Sequence, residues 1–263
     1  MKYLLFITVL FVQINIGAAQ SIQLPVGAKF SISTSTDNLV EITMMDQHMQ
    51  MHSDGKVKLL FEIMSVSTKG YSMQVTPKHM VSTVMVNGRD QKIDTDSASD
   101  RNNPIYAKIF ELMGHSQTIE VEDNKVSKNS QLAEFNQTGI QDDPSKFFLN
   151  IAASNLHNGF QWIDSTVNEK SKASNQYTVI QITDSTVTVN VNSDFSNHNT
   201  VTQGEITIEQ NLKGFSTGNR VYSRENGLLK EETTDITISG STETNEMTSP
   251  ITMKLKIKSV VEN

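Results

Sequence analysis

Ile251-Thr252-Met253-Lys254-Leu255-Lys256-Ile257-Lys258 places apolar side chains at its odd positions, and Thr252 with three lysines at its even ones. Successive side chains of an extended chain point to opposite sides, so this stretch reads as an antiparallel strand with one dry and one wet face. The same period of two recurs at Val57, Leu59, Phe61 and Ile63, then at Tyr71, Met73 and Val75. It returns at Val187, Val189 and Val191, at Ile206 and Ile208, and at Ile236 and Ile238. Between such runs stand Asp54-Gly55, Asn87-Gly88 and Asn226-Gly227, with Asp123-Asn124-Lys125 a weaker signal. These residues tolerate positive φ and predict hairpins. The polar stretches 91–103 and 192–204 read as loops.

Helical spacing interrupts the pattern twice. In Pro104 to Met113, Ile105, Ile109 and Leu112 share a face, with Pro104 suited to the first helical position and Gly114 to the stop. The second stretch, 143–155, has Asp143 as N-cap and a stripe of Phe147, Phe148, Ile151 and Ala152. The expected fold is therefore mainly β: a curved antiparallel sheet wrapped around two short packed helices.

The N-terminus carries Lys2, an apolar run from Tyr3 to Val12, and small residues at Gly17, Ala18 and Ala19. That pattern predicts a cleavable signal peptide over 1–19 and a single β-rich domain over 20–263. The run is shorter than the ~20 apolar residues that span a bilayer. With 22 basic against 29 acidic side chains, the formal charge is −7. Nucleic acid and anionic membrane surfaces are poor partners for such a chain, since both require clustered Lys and Arg. Cysteine is absent, which removes disulfides, thiol nucleophiles and the attachment point of a bacterial lipid anchor. The expected location is periplasmic or extracellular.

Setting 61–75 against 177–191 pairs Phe61 with Tyr177, Ile63 with Val179, Val66 with Ile182, Tyr71 with Val187, Met73 with Val189 and Val75 with Val191. Gly27 and Gly159 each precede an aromatic that leads into a strand, so halves near 20–130 and 156–263 are suggested; any two amphipathic hairpins would also align this well. The glycine–aromatic openings, the methionine-bearing strand from Met44 to Met51, and Arg224-Glu225-Asn226-Gly227-Leu228 before a Thr-rich strand carry a resemblance. The chain resembles an uncharacterised family of exported bacterial proteins, a domain of unknown function, with an architecture similar to the half-barrel of LolA/LolB-type lipoprotein carriers. The resemblance implies a curved sheet around helices that can enclose an acyl chain.

Residues for chemistry are few. The six histidines include no pair spaced around a glutamate for zinc, and no Gly-x-Ser-x-Gly elbow or phosphate-cradling glycine loop occurs. No enzyme and no cofactor is expected. Met49, Met51, His48 and His52 form an alternative copper site, since thioethers and imidazoles suit copper. Strand alternation sends Met49 and Met51 one way and His48 and His52 the other, against a single shared ion. The principal expectation is an apolar cavity for a lipid or similar molecule, walled by Phe61, Ile63, Met73, Val75, Phe110, Phe147, Ile151 and Trp162. The competing outcome is a filled core, leaving a structural or protein-interaction module.

Overall fold

The computed structural model describes residues 24–44, 47–67, 70–86, 89–122, 125–126, 144–149, 151–167, 171–203, 206–244 and 247–262. The expected signal peptide, the Asp143 cap and the Asn87-Gly88 turn lie outside them. One antiparallel sheet contains every strand among these residues. In the first half these are β1 (Lys29–Met44), β2 (Gln47–Val66), β3 (Gly70–Val86), β4 (Arg89–Asp94), β5 (Gln117–Glu122) and β6 (Lys125–Val126). In the second they are β7 (Gln161–Val167), β8 (Ser171–Ile182), β9 (Thr186–Gln203), β10 (Ile206–Ser223), β11 (Leu229–Thr244) and β12 (Met247–Glu262). The order is β6-β5-β3-β2-β1-β12-β11-β10-β9-β8-β7, with β4 beside β3. The sheet does not close, and the first strand pairs with the last across its middle.

The stretch 251–258 lies at that seam. Lys254, Lys256 and Lys258 are exposed, whereas Met253, Leu255 and Ile257 are half-buried on the other face. On the wet face Lys256 stands opposite Asp37 of β1 and Asp235 of β11, and Lys258 is 3.1 Å from Glu231. Opposite charges directly across a ladder favour this register.

The sheet is curled. Phe148 stacks edge-on against Tyr71 of β3, with ring centroids 4.8 Å apart, and forms a β-bridge with Leu228 just before β11. These strands are four places apart, about 19 Å if the sheet were flat. One residue reaches both, by its ring and by its backbone, only because the inner face wraps around it. Phe147, Phe148, Leu149 and Ile151 plug this concavity at one end and complete a core with Phe30, Ile32, Leu59, Phe61, Ile63, Met73, Val179, Val187, Val189 and Leu229.

The two halves open with the same geometry. Gly27 and Gly159 both have φ of 85°. Gly27 N–H donates to Ile63 O and Ile63 N–H to Ala28 O; Gly159 N–H donates to Val179 O and Val179 N–H to Phe160 O. Both second strands then bulge, between Ile63 and Ser65 and between Val179 and Gln181. Phe61↔Val75, Ile63↔Met73 and Val66↔Tyr71 in one half correspond to Tyr177↔Val191, Val179↔Val189 and Ile182↔Val187 in the other. A Cβ at Gly159 would touch nothing within 4 Å, so Gly159→Ala meets only the left-handed backbone. It is expected to lower stability by about 1–2 kcal/mol in urea unfolding; an unchanged midpoint contradicts this.

Several local expectations are corrected. Asp54-Gly55 is no turn: β2 runs straight through it, Gly55 paired with Thr36 and Ser82. Hydrogen-bonded neighbours along both sides of β2 outweigh a two-residue turn preference. Likewise 192–203 is not a loop but part of β9, paired with β10 throughout and with β8 as far as Asn197. The Asn226-Gly227 turn forms, with Gly227 at φ 72° and Leu228 N–H donating to Asn226 Oδ1.

The first helix begins as a 3-10 turn at Pro104–Tyr106, capped by the Asn103 side chain, and continues as Ala107–Leu112, with no buried residue. Ile105 is 80% exposed, so this helix does not enter the core. The second is reduced to 3-10 turns at Pro144–Phe147 and Ala153–Asn155. Phe147, Phe148 and Leu149 are all buried in succession, which a helix with one inward face could not achieve.

Candidate functional site

Beyond the plug, among the described residues, the inner face is apolar and only partly covered. β11 directs Ile236 and Ile238 inward, and β12 directs Met253, Leu255 and Ile257 alongside them. All five are half-buried, unlike the core residues on the same strands, such as Leu229 at 0% exposure. The adjoining β10 presents Gly218, Ser216 and Gly214, and the Phe195 ring lies over Gly214, where an added Cβ would come within 2.1 Å of it. The result is a trough with isoleucine, leucine and methionine on one flank and a low floor on β10.

An ionic cluster separates trough from plug. Glu232 accepts from Arg220 Nε at 2.9 Å through Oε1 and from Lys146 Nζ through Oε2, and the Tyr222 hydroxyl donates to Lys146 O at 3.0 Å. Arg220 also lies over the Tyr177 ring, which stacks on Trp162 at 4.8 Å. Burial pushes the Glu232 carboxyl up, but Lys146 and Arg220 outweigh it and hold it below its ordinary value. Burial pushes the Tyr222 phenol from 10.0 up to about 12.

Both shifts bear on stability. The contribution of the depressed Glu232 is complete above the unfolded carboxyl's pKa of about 4.3 and is lost as pH falls through the lower folded value. Above pH ~10 the unfolded Tyr222 ionises while the folded one does not, so stability falls from pH ~10 to ~12 by about 2–3 kcal/mol. Urea midpoints across this range, compared with Tyr222→Phe, should show an alkaline decline that is diminished in the variant. A wild-type midpoint that stays level would contradict it.

The residues expected to wall a cavity are placed as follows. Phe61, Ile63, Met73, Val75, Phe147 and Ile151 come together, but as buried members of the packed core, Phe61 and Phe147 with ring centroids 5.0 Å apart. Trp162 borders that core, and Phe110 lies apart from it with Arg101 over its ring. The open apolar face belongs instead to β10–β12. Its signal was already present in the odd positions of 251–257 and in Ile236 and Ile238, whose alternation also describes an ordinary covered strand.

Of the copper alternative, Met49 and Met51 lie on inward positions of β2, paired with Ile42 and Val40. His52 is exposed on the outer face, its Nε2 2.8 Å from Asp37. The His48 side chain is outside the described residues. Elsewhere His79 Nε2 lies 3.2 Å from Asp94 and 3.4 Å from Asp96, donors of a type that bind divalent cations. The Asp96 backbone N–H and then His79 hold the Asp94 carboxyl below its usual range. Two grooves of about 410 and 420 Å³ cross the far ends of β7–β11; they share Lys172, Ser196 and Lys213, and the second continues the trough past Phe195 and Gly214 to Val167 and Ala173.

No protein-family model matches the sequence, and no curated protein does. Among solved structures the fold is similar to that of lipovitellin, reported for its lipid–protein interactions. The TM-score is 0.56 at 7% identity over 92% of this chain. The chain spans about a quarter of that protein, covering 26% of it. An outer membrane channel from Pseudomonas putida superposes at a TM-score of 0.26 with 10% identity, covering 92% of this chain and 98% of that one. Ail, the attachment invasion locus protein of Yersinia pestis, gives 0.18 at 6% identity, covering 90% of this chain and 100% of that one. Among the described residues no helix is long and apolar enough to cross a membrane, which says nothing of strands.

Proposed function

We propose that this chain is a non-catalytic exported protein, periplasmic or extracellular, that holds a lipid or similar hydrophobic molecule on the inner face of its half-barrel. One observation carries the reading: Ile236, Ile238, Met253, Leu255 and Ile257 form a continuous inward apolar row that is half-exposed among the described residues, while the opposite face carries the charges. Concave apolar surfaces next to a few polar groups are where small molecules bind. The fold's likeness to lipovitellin agrees with this reading, as does the LolA/LolB-type resemblance carried by Gly27 and Gly159.

A neutral dye that fluoresces in apolar surroundings should bind the purified protein and be displaced by long-chain lipids. Ile238→Glu or Leu255→Glu brings a charge into the row and is expected to weaken dye binding by about tenfold or more. Thermal unfolding of the same variants separates lost binding from lost fold. Absence of dye binding by the wild-type protein, or binding indifferent to both substitutions, would overturn the proposal.

A further inference from the structure

A charge beside an apolar surface is costly unless something of opposite sign meets it. β10 sends inward, in order, Tyr222, Arg220, Gly218, Ser216, Gly214 and Leu212. Arg220 thus stands where the packed core ends and the trough begins. A guanidinium has five N–H donors. Among the described residues the Arg220 side chain hydrogen-bonds Glu232 Oε1 through Nε and the Tyr222 hydroxyl oxygen. The Tyr222 hydroxyl beside it already gives its proton to Lys146 O, and its oxygen can accept from one more N–H at most. The terminal amino groups therefore retain donors for a further acceptor. Glu232 meets Arg220 through Oε1 at Nε, while its other oxygen faces Lys146 Nζ. Arg220 is also the most open member of the cluster, its side chain 18% exposed against 4% for Glu232 and 7% for Lys146.

Resting on the reading that the trough takes a hydrophobic molecule, we propose that this molecule is an amphiphile with a single anionic head group, of the long-chain carboxylate type. Its head accepts hydrogen bonds from the terminal amino groups of Arg220. Its chain lies along Gly218 and Ser216 beside Ile236 and Ile257, toward the Phe195 ring over Gly214. From Arg220 to Gly214 the strand covers about 20 Å, a length suited to an extended acyl chain. A planar guanidinium matches a carboxylate in charge and in fork geometry, and low dielectric strengthens the pair.

The test compares oleate with oleyl alcohol, alike in chain and different in head group, by calorimetric titration of the delipidated full chain. Oleate is expected to bind the wild-type protein on the order of ten- to a hundredfold more tightly than the alcohol. Arg220→Met should abolish that preference, and Arg220→Lys should restore part of it. If acid and alcohol bind equally, the head-group assignment fails and the hydrophobic reading stands. If neither binds, both fail. The comparison on unaltered protein decides the matter even if Arg220→Met does not fold.

Discussion

Glu232→Ala is expected to destabilise the protein by about 3–5 kcal/mol, because it leaves Arg220 and Lys146 without their shared carboxylate in a site where all three are largely buried. The loss should appear as a lower urea midpoint at neutral pH. It should shrink as pH falls, since the wild-type protein itself loses the charge of Glu232 in acid. Glu232→Gln keeps the volume and one acceptor and should lose the same charge compensation. Replacing Lys146, Arg220 and Glu232 together by methionine, methionine and leucine should recover most of the stability, as buried ion clusters are often exchangeable for packed apolar groups. The triple variant would nevertheless lack the guanidinium at the mouth of the trough, so its stability and its preference for carboxylates should move in opposite directions. A Glu232→Ala protein as stable as the wild type would show that the cluster is hydrated and carries no such energy.

Phe147→Ala should cost about 3–5 kcal/mol. The ring is 1% exposed, packs against Phe61, and belongs to the segment that holds both arms of the curled sheet. Its removal leaves a void that the surrounding strands cannot readily collapse around, because their spacing is set by their own ladders. Binding of a neutral dye should be little changed once the variant is measured below its unfolding transition, since the trough row on β11 and β12 lies beyond the plug. If stability is retained and dye binding is lost, the plug itself is the ligand site and the walls inferred from sequence were the better ones.

Much of the strand pattern was legible because a half-buried strand writes its two faces directly into alternate residues. Residues 251–258, 57–63 and 187–191 all lie on strands with the expected faces. Turn dipeptides were weaker guides. Asn226-Gly227 turns and Asp54-Gly55 does not, because local preference is worth less than the ladder hydrogen bonds on both sides of β2. The helical stripe at 147–152 marked the right residues as apolar but the wrong geometry. Burial against several strands at once favours an irregular path over a helix.

What the sequence determined by itself was therefore the class of the molecule: antiparallel, wet on one face, with the apolar residues Phe61, Ile63, Met73, Val75, Phe147 and Ile151 destined for burial. Only the tertiary structure decided which apolar faces are covered. Alternation reads the same whether a face meets a plug or an open trough, and the difference depends on where the short segment 144–151 comes to rest. The meeting of Arg220, Glu232 and Lys146 was equally invisible, since Lys146 and Glu232 are 86 residues apart and are joined by the curl of the sheet rather than by any local spacing.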